Sequence, residues 1–387
     1  MNALHQLMSC GQSYWMDNLT RHMLLSGELK NRVEEHGLRG VTSNPAIVHK
    51  AVTGSDDYEL DIVELVKKGS HHNDIYEQLV ITDVQQACDI LRPVYDESDG
   101  VDGFVSLEVS PYLAHDTHGS TQEAHRLWEV VARPNLLIKI PGTEAGVPAI
   151  EQALARGINV NITLLFSVHD YEAVANAYIR ALERRLAEGK PLDRIASVAS
   201  FFLSRIDVLV DELLRHRVRP SALGKEAMLA EELSGKVAIA NAKLAYQRFK
   251  QIFSGPRWQT LEAAGARVQR PLWASTSTKN PQYRDVMYVE PLIGPHTVNT
   301  MTEETIAAFA DHGNAVANSV AADIEVAQRI IHQDLPQVGI ALDKVTWQLQ
   351  NEGIQKFIDP FDALMHTLTD KIDKSQTFVG DPMSSVR

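Results

Sequence analysis

A lysine in the middle of an apolar run is the sharpest chemical feature of this sequence. Lys139 lies in Leu136-Leu137-Ile138-Lys139-Ile140-Pro141, a stretch otherwise apolar on both faces. Burial disfavours an ammonium ion and leaves a neutral amine able to attack a carbonyl. The spacing therefore points to a Schiff-base nucleophile, against the alternative of a lysine paired with a carboxylate or reaching solvent at a strand end. Glu108 breaks a second apolar run, Phe104-Val105-Ser106-Leu107-Glu108-Val109. A buried glutamate needs a partner or a proton, so it suits acid/base work through a held water, or else forms a structural ion pair, with Lys139 among the candidates.

In Asn159-Val160-Asn161-Ile162-Thr163-Leu164-Leu165 the side chains alternate: Asn159, Asn161 and Thr163 share one face, and Val160, Ile162 and Leu164 the other. If this is a strand, its polar face lines either a site or a buried polar layer. Asp17 ends a weaker run and serves as a fourth polar candidate or as a helix cap. For an anionic group, Arg205 follows Ser200-Phe201-Phe202-Leu203-Ser204, and Lys279 follows Ser275-Thr276-Ser277-Thr278. Metal-ligating types occur in His115-Asp116-Thr117-His118, at His125 and in His71-His72, but without the i, i+4 spacing of a helical site.

These groups need elements to hold them. Short β-branched runs alternate with stretches of helical period, the pattern of βα units around a parallel sheet. The predicted strands are Tyr14 to Asp17, Gly40 to Ser43, Gly103 to Val109, Leu136 to Ile140, Asn159 to Leu165, Ile195 to Phe201, Pro271 to Ser275 and Val286 to Val289. Ser120 with Glu123 predicts one helix start, Ser167 with Asp170 another, and Gly157 and Gly189 predict helix ends. Eight βα units predict a closed (β/α)₈ barrel, or TIM barrel, with active-site groups at the carboxyl ends of the strands. Two segments exceed the minimum: residues 206 to 268 predict two or three helices after strand six, where a barrel needs one crossover helix and the rest are extra, and 314 to 387 a C-terminal helical extension packed on a barrel spanning 1 to 313.

The 387 residues carry 37 Lys plus Arg against 50 Asp plus Glu, a formal charge of −13. That field repels nucleic-acid backbones and anionic membrane surfaces, so an anionic substrate needs a local cationic pocket. Two cysteines, Cys10 and Cys88, without a CxxC pair, give neither a disulfide framework nor a thiolate metal site. With no apolar run long enough to span a bilayer and no basic-then-apolar leader, a cytoplasmic location is expected. A homo-oligomer stays open.

Taken together, the runs resemble the transaldolases, specifically their longer bacterial form. The resemblance is carried by Gly40-Val41-Thr42-Ser43-Asn44-Pro45, Val105-Ser106-Leu107-Glu108-Val109, Leu137-Ile138-Lys139-Ile140-Pro141-Gly142-Thr143, Gly157 through Ser167, and Trp273-Ala274-Ser275-Thr276, in order over residues 13 to about 313. It implies Lys139 as the Schiff-base lysine, Glu108 as the carboxylate acting through a water, Thr163 as its orienting hydroxyl, and Asp17 as the acid/base at the C4 hydroxyl. It further implies that Asn44, Asn161 and Ser200 bind a dihydroxyacetone unit and Arg205 a phosphate. Many transaldolases carry a second arginine after strand seven, where this chain offers Lys279, with Ser275 nearby; a lysine keeps the charge and loses the bidentate fork. The implied substrates are sugar phosphates: a three-carbon unit passes from sedoheptulose 7-phosphate to glyceraldehyde 3-phosphate, without cofactor or metal. The alternative is a class I aldolase that cleaves fructose 6-phosphate. The resembling aldolases lack a carboxylate at the position of Glu108.

Overall fold

A computed structural model describes residues 3–217 and 225–380. Eight parallel strands close into one barrel in sequence order: β1 (Gln12–Asp17), β2 (Gly40–Thr42), β3 (Phe104–Glu108), β4 (Leu136–Pro141), β5 (Val160–Leu165), β6 (Ser197–Phe202), β7 (Arg270–Ala274) and β8 (Thr297–Met301). Nearly every strand residue is buried, because helices cover the outside and side chains fill the inside. At the amino end of the barrel, Asp102 accepts from Ser13 and Trp15, and Arg270 reaches Asp102 at 3.3 Å and Ser13 at 2.6 Å. That buried polar plug sits at the end of the barrel that serves stability rather than chemistry.

Seven predicted strands fall where expected; the eighth does not. Val286 to Val289 is a buried turn leading into the short helical turn Glu290–Leu292, and the eighth strand is Thr297–Met301. Burial alone gave Val286, Tyr288 and Val289 their strand-like composition, whereas Thr297, Asn299 and Thr300 put polar groups on both faces of the true strand and hide its alternation. The helix predicted from Ser120 starts earlier, at Thr117, because Asp116 caps it by accepting from the Gly119 amide at 2.9 Å; Ser120 donates instead to the Leu113 carbonyl. Ser167 caps Val168–Ala187 as expected, through the Asp170 amide at 3.0 Å, and Gly157 ends its helix at φ +98°.

After β6 come four helices, Ser204–Arg217, Lys225–Leu233, Val237–Ile252 and Pro256–Ala263, more than the two or three predicted; residues 218–224 between the first two lie outside the described ones. The extension is dominated by one helix, Leu342–Gly380, of 39 residues. Its distal part joins Leu364, Leu368 and Ile372 to a second apolar cluster, formed with Ala51, Val52, Tyr58, Ile62, Ile75 and Leu79 from the helices after β2. Its proximal part crosses the carboxyl mouth of the barrel. No helix among the described residues is long and apolar enough to cross a membrane.

Candidate active site

Parallel pairing sets the heights of the reactive side chains. Lys139 on β4 is in register with Glu108 on β3 and with Asn161 on β5, so all three project inward from neighbouring strands at one level. The Lys139 Nζ lies 2.7 Å from Glu108 Oε1 and donates to the Ser43 carbonyl at 3.1 Å, with the lysine 5% exposed. Both readings of Lys139 therefore meet in one geometry: the amine is inside the barrel, and it is paired. Burial pushes the Glu108 carboxyl above its ordinary range, and the lysine pulls it back down. Asp17, at the end of β1, is raised for the same reason, with Lys139 as the largest opposing influence; it accepts from Thr42 Oγ1 at 2.8 Å, and Thr42 in turn meets Thr300 at 2.6 Å.

Along the neighbouring strands, Ser200 on β6 donates to Asn161 Oδ1 at 2.7 Å, and Asn161 Nδ2 donates to Ser106 on β3 at 3.0 Å. These two hydroxyls hold the plane of the Asn161 amide between β6 and β3. Thr163 is in register with Pro141, and its Oγ1 is buried without a protein partner, so its hydrogen-bonding capacity is free for an oxygen in the barrel. Just past it the β5–β6 register slips between Ile162 and Leu165, and Leu164 takes φ +62°, a left-handed conformation rare outside glycine. Asn159 does not join this group: it binds the Ala196 amide and the Pro134 carbonyl, tying together segments at the amino ends of β4 to β6.

A cavity of about 210 Å³ at the carboxyl end is lined by Asp17, Asn44, Lys139, Ser200, Arg205 and Lys279, together with Ser275 and Phe357. Asn44 also caps the helix Pro45–Gly54, its Oδ1 accepting from the Ile47 amide at 3.1 Å, so its amide NH₂ is the donor left for a ligand. Arg205 is packed over the Phe202 ring at 5.2 Å, and its buried Nη1 has no protein acceptor. Burial holds its pKa below the usual guanidinium value, yet guanidinium stays charged in proteins, so the cavity wall carries a buried cation with an uncommitted N–H. Lys279 is exposed and donates to Ser277 at 2.7 Å, while the Ser275 hydroxyl is engaged with Ser204 at 2.8 Å. Ser275 takes the left-handed conformation, at φ +55°, where the chain turns along the cavity. Glu108 opens onto a neighbouring cavity of about 320 Å³, which Asn44 also lines along with Tyr76, Phe361 and Met365.

Sequence reasoning missed four contributors. Thr42 stood inside a quoted motif, and its hydrogen bond to Asp17 has no sequence signal beyond adjacency. Thr300 was lost with the misplaced eighth strand. Phe357 and Gln350 come from the extension, where an amphipathic helix gives no sign of which residues face a site; the Lys139 Nζ lies 5.6 Å from the Phe357 ring centre. The histidines of the metal reading do not converge. His115 and His118 are exposed, His125 pairs with Glu129, and no three metal-ligating side chains gather among the described residues.

Comparison with known proteins agrees with this geometry. The family model described as transaldolase/fructose-6-phosphate aldolase matches residues 14–368. A transaldolase 2 of Nostoc punctiforme is 54% identical over 374 residues, covering 96% of this chain and 98% of that protein. A transaldolase of Trichodesmium erythraeum is 50% identical over 374 residues, 96% and 98% of the two chains, and one of Thiobacillus denitrificans is 45% identical over 365 residues, 94% and 99%. Likeness at this level runs through the barrel and into the helix that crosses its mouth, and on it the chain belongs to the transaldolase family.

Proposed function

We propose that this transaldolase works through an imine on Lys139. The observation that carries the reading is a buried amine 2.7 Å from a carboxylate whose pKa burial has raised, at the edge of a chamber that also holds Asp17, Ser200 and Arg205. Transfer of one proton along the Lys139–Glu108 contact leaves a neutral amine and a carboxylic acid. The amine adds to the C2 ketone of a ketose phosphate, and Glu108, through a water oriented by Thr163, returns the proton to the departing hydroxyl. The resulting iminium is the electron sink. Asp17 takes the C4 hydroxyl proton, the C3–C4 bond breaks, and an aldose phosphate leaves. Asn44, Asn161 and Ser200 hold the remaining three-carbon enamine until an acceptor aldehyde arrives.

The reading makes sedoheptulose 7-phosphate the donor and glyceraldehyde 3-phosphate the acceptor, with erythrose 4-phosphate and fructose 6-phosphate as products. The extension at 314–387 is then part of the catalytic unit formed with the barrel at 1–313. Incubation with both substrates should give the two products in equal amounts with little free dihydroxyacetone. If free dihydroxyacetone dominates while acceptor is present, the aldolase alternative replaces transfer.

Arg205 supplies the phosphate contact in this scheme. Arg205→Ala should raise KM for phosphorylated donors by about tenfold to a hundredfold, the range for losing a charge-assisted hydrogen bond, with a smaller change in kcat. Steady-state kinetics on phosphorylated and unphosphorylated ketoses checks it: equal use of both by the parent enzyme removes Arg205 from that role.

A further inference from the structure

The C-terminal helix presents one continuous stripe to the molecule: Gln350, Gly353, Phe357, Phe361, Leu364, Leu368 and Ile372, spaced by three or four residues. The distal end of the stripe is anchored in the cluster built by the helices after β2. The proximal end is anchored on the barrel itself. Gln350 Nε2 donates to the carbonyls of Gly142 and Leu164, at 3.2 and 3.3 Å, and Leu164 is the residue in the left-handed conformation beside Thr163. At Gly353 the helix backbone comes so close that a Cβ would stand 2.9 Å from Leu164 Cδ2 and 3.5 Å from Arg205 Nη1. Tyr112, after β3, donates to Asp362 at 2.6 Å, and Tyr76 and Tyr112 both meet the Phe361 ring edge-on. Between the two anchors stands Phe357, 7% exposed, lining the 210 Å³ cavity with its ring over the Lys139 amine. Pro360 gives up the helical hydrogen bond to the Lys356 carbonyl one turn further on, where the helix passes from the barrel mouth toward its distal anchor.

We propose that Phe357 is a specificity-determining residue: its ring closes the chamber over the lysine-bound three-carbon unit and keeps water from it, so that the unit is transferred rather than released. The proposal rests on the imine reading of Lys139. Release and transfer divide at the enamine. In release, C3 takes a proton from water, hydroxide adds to C2, and the C2–N bond breaks, giving dihydroxyacetone and the free lysine amine for one water consumed. In transfer, C3 attacks the acceptor carbonyl, the new C3–C4 bond forms, Asp17 returns its proton to the C4 oxygen, and water enters only afterwards to hydrolyse the longer imine. A phenyl ring anchored over the amine lowers the access of water to C2 and C3 during the wait for an acceptor, while the Arg205 and Lys279 side of the cavity stays available to a phosphorylated aldehyde.

The test is the ratio of free dihydroxyacetone to transferred product, measured with donor and acceptor together for parent, Phe357→Ala, Phe357→Leu and Gln350→Ala. Phe357→Ala should raise the ratio by about tenfold or more, Phe357→Leu should stay near the parent because it keeps an apolar plug, and Gln350→Ala should move it in the direction of Phe357→Ala by freeing the helix. An unchanged ratio in Phe357→Ala, or a ratio in Phe357→Leu as high as in Phe357→Ala, overturns the proposal. Borohydride trapping in the same samples keeps the two readings apart. A parent labelled at Lys139 with a ratio insensitive to Phe357 sinks the roof alone, whereas a parent that turns over unlabelled sinks the imine reading beneath it. If Phe357→Ala does not fold, Gln350→Ala decides, and an unchanged ratio there counts against the proposal.

Discussion

Lys139→Ala should lower kcat for the three-carbon transfer by at least about 10⁴-fold, the scale of losing a covalent nucleophile. The other lysine that lines the cavity among the described residues, Lys279, is exposed, after β7, and engaged with Ser277. The fold should survive the change. The substitution removes a buried charge, but it also leaves Glu108 buried without its cation, and a lone buried carboxylate protonates rather than stays ionised. Circular dichroism and thermal unfolding at neutral pH should therefore show a folded protein, so that inactivity reads as lost chemistry. Activity within tenfold of the parent in a folded Lys139→Ala protein would reject the assignment.

The second large effect is expected at Asp17. Asp17→Asn should reduce kcat by about 10² to 10⁴-fold, the range for general acid/base groups, because the amide cannot take the C4 hydroxyl proton. Imine formation precedes that step, so trapping at Lys139 should persist in this variant, which separates a base at C4 from a residue that only shapes the site. The pH profile carries an independent check. Asp17 works as a base only when ionised, and burial raises its pKa, as it raises that of its neighbour Glu108, with Lys139 opposing the rise in both. Activity of the parent should then fall, as pH drops, at a higher pH than for a solvent-exposed carboxylate. The two groups face the same lysine, so the limb belongs to the coupled set rather than to either alone. An acid limb of kcat/KM in the ordinary aspartate range would contradict the burial seen at the site.

The sequence was most legible where a residue broke a strong local pattern. Lys139 stands out because β4 is apolar on both faces, and a charge there needs a reason. The inward face of β5 was legible from strict alternation at Asn161 and Thr163, although Asn159, on the same parity, ties segments together at the far end instead. Legibility failed where the pattern was set by distant partners. The polar residues of β8 are held by contacts such as Gln12 to Thr297, which a local window cannot see, while the apolar Val286 to Val289 turn owes its composition to burial under the loop. The role of Phe357 depends on where a 39-residue helix crosses the barrel, and that is set by Gln350 and Gly353 meeting a strained Leu164 nearly two hundred residues earlier. Asn44 shows a third case: its type fits equally well a cap and a ligand donor, and the geometry lets one side chain serve as both.

All of these outcomes depend on a covalent bond between the ketose and one buried amine. The direct measurement is reduction with borohydride in the presence of fructose 6-phosphate, followed by peptide mass mapping. The peptide containing Lys139 should gain the mass of the reduced three-carbon or ketose adduct, with activity lost in proportion. An unmodified Lys139 peptide from an enzyme that still turns over under those conditions, or an adduct mapped to a different lysine, would contradict the account.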